Sequence, residues 1–467
     1  MNRFSKHLIV GLTAAFAAHT LATAEALKVS LNPEDFRPAE RYINTYNSNL
    51  TLPTLFVDLG YGSDVLREAT AELNATGLRF PGGTISNNYL WEKDSFETQA
   101  DDKTKWAARV LKMFKESGKK LNMEAWVKLC ETNNMIPMYS LNIYHETPES
   151  TVRLLDTIKS YGGELKHIEL GTEVYWDPRS HNDVEAYINY CKPLAAAIRA
   201  YDPTIQLGAN FGPFNKPGKY ETKWNKALAK EDFYDAIVHH DYYGGQGIAV
   251  DAGIDKKLDE VLYPDGFMTH LVELSHKHDR DDMPLWITEW NMGTKGLATW
   301  KGTGAQLLFI AAVMHENICI SDDAPIITYH QIYQELFGTF EYNKESGEIN
   351  YFATYYLLKL FGNFWADAET VAIPNEAAQV GAPQLVSIVR KAHSHEAFIV
   401  NRDAKEATIK LEQLAGKRGT IELITLTEEQ LTGQMPRNTE LAEELSIYDV
   451  GTLVIPAYTV ARVIIPN

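Results

Sequence analysis

The chain is expected to be an α/β protein: a (β/α)8 TIM barrel with a smaller C-terminal antiparallel β-sandwich. Three observations carry that expectation. Between residues 54 and 368, short apolar runs alternate eight times with longer segments whose apolar positions recur at helical spacing. No glycine-rich dinucleotide fingerprint follows the first of these runs, which counts against an open doubly wound sheet. Beyond about residue 370 the helical spacing stops, and short β-prone runs punctuated by turn residues replace it.

Residues 1–24 have the form of a signal peptide. Arg3 and Lys6 give a basic start, and Leu8 to Leu21 is mostly apolar and small. Ala22-Thr23-Ala24 fits an A-x-A cleavage site, so Glu25 would begin the mature chain. The apolar run is short for a bilayer, and no later stretch is long enough to span one. Residues 25–53 are polar. Ala26 to Leu31 could form a strand, and residues 28–45 are expected to join the sandwich as extra strands.

The barrel is expected over 54–368, with strands at Thr54–Asp58, Gly77–Phe80, Met135–Asn142, His167–Glu173, Ile205–Asn210, Ala236–Tyr242, Leu285–Trp290 and Pro325–Tyr329. Helices fall between them. Ser63 can cap one through Leu73, Lys103–Ser117 and Leu121–Asn133 form two more, and Thr147 or Ser150 can start one through Ser160. Asn182 can cap a helix on which Val184, Tyr187, Cys191, Leu194 and Ile198 share a face. Gly302–His315 and Tyr351–Phe364 supply the last two. Over 369–467, the runs Leu385–Val389, Ala397–Asn401, Ala407–Leu411, Thr420–Thr425, Gly451–Ile455 and Thr459–Ile465 are expected to form the sandwich.

Composition narrows the function classes. With 467 residues, 45% hydrophobic, there is room for one large domain, one small one and a full core. The net charge is −18, and removing residues 1–24 takes away Arg3 and Lys6 but no acidic residue, giving −20. Such a balance argues against nucleic acid or an anionic membrane surface as partner. Cys130, Cys191 and Cys319 are too few and too scattered for a disulfide framework and read as buried thiols. His239-His240-Asp241 lacks partners at a recognisable metal-ligand spacing, so neither metal nor cofactor is expected.

In a (β/α)8 barrel the site lies at the carboxyl ends of the strands. Two of those ends present a glutamate beside aromatic residues: Glu173, followed by Tyr175 and Trp176, and Glu289, before Trp290. Strand two ends around Arg79, strand three near Asn142 and Tyr144, strand six at His240 and Tyr242, and strand eight at Tyr329, His330 and Gln331. Two carboxylates set among such groups point to glycosidic-bond chemistry, with one kept ionised by a nearby arginine and the other kept protonated by burial against rings.

Specific motifs then resemble a known group. Arg79-Phe80-Pro81-Gly82-Gly83, with Tyr89 and Trp91 after it, resembles the R-x-P-G-G-x-x-x-x-x-Y-x-W motif of family 51 arabinofuranosidases. Glu169-Leu170-Gly171-Thr172-Glu173 resembles the acid/base motif of glycoside hydrolase clan A, and Ile287-Thr288-Glu289-Trp290-Asn291 resembles its nucleophile strand. The resemblance extends to families 39 and 79, the xylosidases and the glucuronidase–heparanase group. The terminal Leu453 to Val460 is similar to the last strand of their accessory sandwich. It implies Glu173 as acid/base, Glu289 as nucleophile, and Arg79, His240 and Tyr242 as supports. Trp91, Tyr144, Trp176 and Trp290 would stack on the sugar. The chain departs from the pattern at Thr172 and Thr84, where the relatives carry asparagine.

The expectation is therefore a secreted or periplasmic retaining glycoside hydrolase, cofactor-free, acting on a polysaccharide or its oligosaccharides. Two rivals stand beside it: a catalytically weakened carbohydrate-binding protein on the same scaffold, and a polysaccharide lyase using the strand-six Tyr/His pair.

Overall fold

The computed structural model describes residues 26–97, 105–177, 179–180, 183–214, 221–244, 254–264, 266–277, 283–334, 336–343, 346–374 and 381–467. The expected signal peptide and the Asn182 cap lie outside these residues. Eight parallel strands close into a barrel in sequence order. They are β1 Tyr42–Asn47, β2 Gly77–Phe80, β3 Ile136–Leu141, β4 His167–Leu170, β5 Gln206–Asn210, β6 Ala236–Tyr243, β7 Leu285–Met292 and β8 Ile326–His330. The barrel closes where β8 pairs with β1, Ile326 against Tyr42 and His330 against Asn47.

The first strand corrects the sequence expectation. Thr54–Asp58 is not a strand; it lies in and just after a helix, Thr51–Val57, whose Pro53 sits in the first turn, where no intrahelical N–H is needed. The strand is the more polar Tyr42–Asn47, and the barrel begins twelve residues earlier than position 54. Its polar side chains are buried but partnered. Asn44 Nδ2 donates to the carbonyls of Leu73 and Asn74, both at 2.9 Å, and Thr45 shares a 2.7 Å hydrogen bond with Thr328 of β8. The strand lacks an apolar run because its polar residues are satisfied on both faces, Thr45 by Thr328 inside the barrel and Asn44 by loop carbonyls outside it.

The barrel interior is layered. Met138, Val238, Trp286 and Ile326 fill its lower part, with Tyr42 and Ile136 packed against them. Above them the interior turns polar, at the carboxyl ends of the strands. Helices start where the sequence indicated. Ser63 accepts from Leu66 N at 3.3 Å to cap Asp64–Glu72, and Thr147 and Ser150 form a capping box at Pro148–Ser160. The cap of Val184–Tyr201 is Asp183, one residue after the expected Asn182; its side chain accepts from Ala186 N at 3.2 Å. No helix among the described residues is long and apolar enough to cross a membrane.

The sandwich has a seven-stranded antiparallel sheet and a three-stranded one. Residues 26–38 belong to it: Leu27–Lys28 pairs with Ala407–Lys410, and Arg37–Pro38 pairs with Thr370–Ala372. Strands Thr370–Ala372 and Glu443–Ile447 join the large sheet without having been expected. Both faces of that sheet are apolar. Along Gln384–Lys391 and Ser394–Asn401, Val386, Ile388 and Ile399 face the sandwich core, while Leu385, Val389, Phe398 and Val400 join the barrel core. The helix Gly304–Cys319 lies between the two bodies and is buried on nearly every side, as its almost continuous apolar sequence requires.

Candidate active site

Side chains alternate along a strand, so every second residue of a barrel strand points inward. In β2 that residue is Arg79, which is fully buried. In β4 it is Glu169. Beyond Leu170 the chain turns through Gly171 and Thr172 to present Glu173, whose φ of 48° is a left-handed conformation that costs a non-glycine residue roughly 1–3 kcal/mol. Asn87 pins this turn: its Oδ1 accepts from Thr172 N at 2.9 Å, and its Nδ2 donates to Thr172 O at 2.6 Å. In β7 the register slips against both neighbours between Ile287 and Trp290. This bulge places Thr288 Oγ1 3.0 Å from His240 Nε2 and still sends Glu289 into the centre.

Arg79 is the hub. Its Nε and Nη2 each donate to a separate oxygen of Glu169 at 2.7 Å, and its Nη1 donates to Glu289 Oε1 at 2.8 Å. Nη2 also reaches Thr172 Oγ1 at 3.2 Å. Glu289 Oε1 accepts from Asn47 Nδ2 at 3.2 Å, and Oε2 accepts from the Tyr242 hydroxyl at 2.5 Å. Asn47 Nδ2 also lies 2.8 Å from His330 Nδ1, which makes that nitrogen the acceptor and places the proton of the neutral ring on Nε2. His240 Nδ1 sits 3.2 Å from Glu173 Oε1 and 3.6 Å from Glu289 Oε2, and Thr84 donates to Glu173 Oε2 at 3.1 Å. One oxygen of Glu173, one of Glu289 and one ring nitrogen of His240 all lie within 4.8 Å of one another.

These contacts set the charges. Burial alone would raise the Glu289 pKa, but His240, His330, Arg79 and the Tyr242 hydroxyl together hold it far below the usual carboxylate range. Burial pushes His240 down, yet Glu289 and Glu173 outweigh it and leave its pKa above the ordinary histidine value. For His330 burial prevails over the pull of Glu289, and its pKa is lowered. Burial, then Glu289, raises Tyr242 well above its ordinary value, so its hydroxyl stays a donor. The two glutamates also differ in access, the Glu173 side chain being 22% exposed and that of Glu289 only 6%.

Of the residues singled out from sequence, Glu173, Glu289, Arg79, Thr172, His240 and Tyr242 come together in this network. Trp176 stands next to Glu173 and is the one tryptophan of the group with substantial exposure, 37%. Asn142, Tyr144 and Trp91 serve the surrounding loops. Asn142 donates to Tyr89 O at 3.1 Å and accepts from Tyr144 N at 3.3 Å. The Tyr144 hydroxyl meets Ser180 and its ring lies 3.8 Å below the Arg179 guanidinium carbon, while Trp91 Nε1 donates to Glu146 at 3.2 Å. Trp290 and Tyr329 correct the expectation. Both point outward from their strands, pack edge to face at 5.1 Å and are buried in the shell between barrel and helices.

Asn47, Thr84, Glu169 and Thr288 belong to the network without having been expected there, and so does His330, which the sequence places at the end of strand eight beside Tyr329 but without a role. The structure accounts for His330 by strand parity, and the sequence carried a signal for Glu169. Thr328 bonds inward to Thr45, so His330, not Tyr329, must end β8 on the inside. Glu169 sits four residues before Glu173 in an otherwise apolar strand, where a buried carboxylate needs a cationic partner. Asn47 was missed with its strand.

No protein-family model matches the chain. It is similar to an intracellular exo-α-(1→5)-L-arabinofuranosidase of Acetivibrio thermocellus, 24% identical over 258 residues; the match spans half of this chain and 49% of that protein. Among solved structures it is similar to the α-L-arabinofuranosidase of Thermotoga maritima (16% identity, TM-score 0.68, covering 92% of this chain and 97% of that one). It is likewise similar to a family 51 α-L-arabinofuranosidase of Bifidobacterium longum (15%, 0.71, 95% and 100%). A monomeric β-xylosidase of Caulobacter crescentus CB15 also aligns over most of both chains (14%, 0.59, 94% and 99%). The TIM barrel with its C-terminal β-sandwich is the fold these proteins share.

Proposed function

We propose that the protein is a retaining glycoside hydrolase of the clan A kind. The observation that carries this reading is the separation of Glu173 and Glu289, whose nearest oxygens lie within 4.8 Å. Retaining pairs stand about 5–5.5 Å apart, and inverting pairs about 6.5–9.5 Å, to admit a water. Glu289, held ionised and oriented by Arg79, Asn47 and Tyr242, attacks the anomeric carbon. Glu173, the more accessible carboxyl, protonates the leaving oxygen and then takes a proton from the water that releases the sugar. The substrate is an oligosaccharide or polysaccharide. Its first candidate is a terminal α-L-arabinofuranoside, in keeping with the names of the similar proteins. The Tyr242 hydroxyl is committed to Glu289 and strongly protonated, which disfavours the lyase alternative. We also propose export with cleavage after Ala24, supported by the basic start and apolar run of residues 1–24.

The test is sugar release from aryl glycosides and a polysaccharide panel, with the first-formed anomer read by proton NMR. Net retention is expected. Glu289→Ala should lower kcat by roughly 10⁴-fold or more, and azide should restore turnover as a glycosyl azide of inverted configuration. Net inversion in the wild type, or undiminished activity in the variant, would refute the mechanism.

A further inference from the structure

We propose that Glu173, His240 and Glu289 form a three-ligand site for one divalent cation of the Zn²⁺ type, which competes with the sugar for the catalytic pair. The competition rests on the glycosidase reading; the binding does not.

Geometry carries the inference. Zn²⁺ holds nitrogen and oxygen ligands at about 2.0–2.2 Å in a tetrahedron, so neighbouring ligand atoms stand about 3.4 Å apart. His240 Nδ1 lies 3.2 Å from Glu173 Oε1 and 3.6 Å from Glu289 Oε2, on either side of that value. The third edge is within 4.8 Å, and the partly exposed Glu173 side chain can swing to shorten it. Three protein ligands leave a fourth position for water.

Each ligand also has its other polar atom held by a neighbour, the arrangement that orients ligands in built metal sites. His240 Nε2 rests on Thr288 Oγ1 at 3.0 Å, which aims Nδ1 at the carboxylates. Glu173 Oε2 takes Thr84, and Glu289 Oε1 takes Arg79 and Asn47. Charge points the same way. The hydrogen-bonded set contains three carboxylates, Glu169, Glu173 and Glu289, and one guanidinium, Arg79. With Glu173 and Glu289 both ionised and the imidazoles neutral, the state in which they can ligate, its net charge is −2, which a dication cancels. One imidazole and two carboxylates suit Zn²⁺ or Cu²⁺, whereas Mg²⁺ and Ca²⁺ require six or more oxygens.

The experiment is a calorimetric titration of the full chain with zinc chloride, then with magnesium chloride. One equivalent of zinc is expected and no comparable binding of magnesium. His240→Ala and Glu173→Gln should each weaken zinc at least 10-fold; Glu173→Gln, at a partly exposed position, covers the case in which the histidine variant does not fold. Cys319→Ser, which removes the thiol 3.6 Å from His315 Nε2, should change nothing. In turnover assays zinc should raise the apparent KM without lowering kcat, reversibly with EDTA. Zinc affinity unchanged in both ligand variants, or lost in Cys319→Ser, would overturn the proposal, as would equal binding of magnesium or inhibition that leaves KM unmoved. Because the titration needs no turnover, zinc bound in this way by a protein that hydrolyses nothing would refute the glycosidase reading and leave the site standing. Turnover without zinc binding would do the reverse.

Discussion

Single side chains fix the charge of the centre. Glu289 is buried, and burial alone would protonate it; the Arg79 guanidinium, the two histidines and the Tyr242 hydroxyl reverse that tendency. Tyr242→Phe removes one stabiliser of the anion, so the Glu289 pKa must rise. Activity needs the ionised nucleophile, and the acid limb of kcat/KM should therefore move to higher pH, with the alkaline limb little changed. A pH–rate profile of the two proteins checks this; an acid limb that stays in place would mean that another group controls it. Tyr242 and Arg79 were legible in the sequence because they end strands. For Glu169 the sequence showed only a carboxylate in an apolar strand; that it holds Arg79 in a bidentate pair is a relation between residues ninety positions apart.

Elements deliver these residues by parity and by interruption. The β7 bulge lets adjacent residues, Thr288 and Glu289, both reach the centre, which a regular strand cannot do. Apolar spacing identified seven of the barrel strands, since their outward faces pack on helices. β1 escaped because the helix Ala353–Trp365 and the loop at Leu73 close over its polar residue Asn44. That packing leaves no room at Gly362: a β-carbon there would stand 2.0 Å from Leu73 O and 3.4 Å from Asn44 Nδ2. Gly362→Ala should therefore destabilise by about 1–3 kcal/mol through overpacking, even though alanine has the better helix propensity. Urea denaturation reads the difference, and an unchanged midpoint would contradict the close approach.

At the scale of the molecule, barrel and sandwich share one core through the double-faced sheet. His315 sits at that junction with its Nδ1 2.8 Å from Ser387 Oγ. Burial, with some help from Arg402, lowers its pKa to about 3. The unfolded chain binds a proton there below pH ~6.5, whereas the folded chain does so only near the lowered value. Its contribution is thus fully present above ~6.5 and is lost as pH falls toward about 3. Stability should drop on the order of 2 kcal/mol between pH 7 and 4.5 from this residue. His315→Asn should be less stable at pH 7 but flatter over the same range. Guanidinium titrations at the two pH values check it, and equal slopes in the two proteins would remove His315 as the cause.

By itself the sequence determined the periodicities, and with them the barrel, the sandwich, most element positions and the two strand-ending glutamates. These follow from local rules of spacing, capping and turn chemistry. Only the tertiary structure decided that Tyr42–Asn47 closes the barrel, that Trp290 and Tyr329 turn outward, and that Glu169, Asn47 and His330 complete the centre. A polar strand, an outward-facing aromatic ring and a shared guanidinium look ordinary in one dimension. What distinguishes them is the partner each meets in space, and those partners lie far away along the chain.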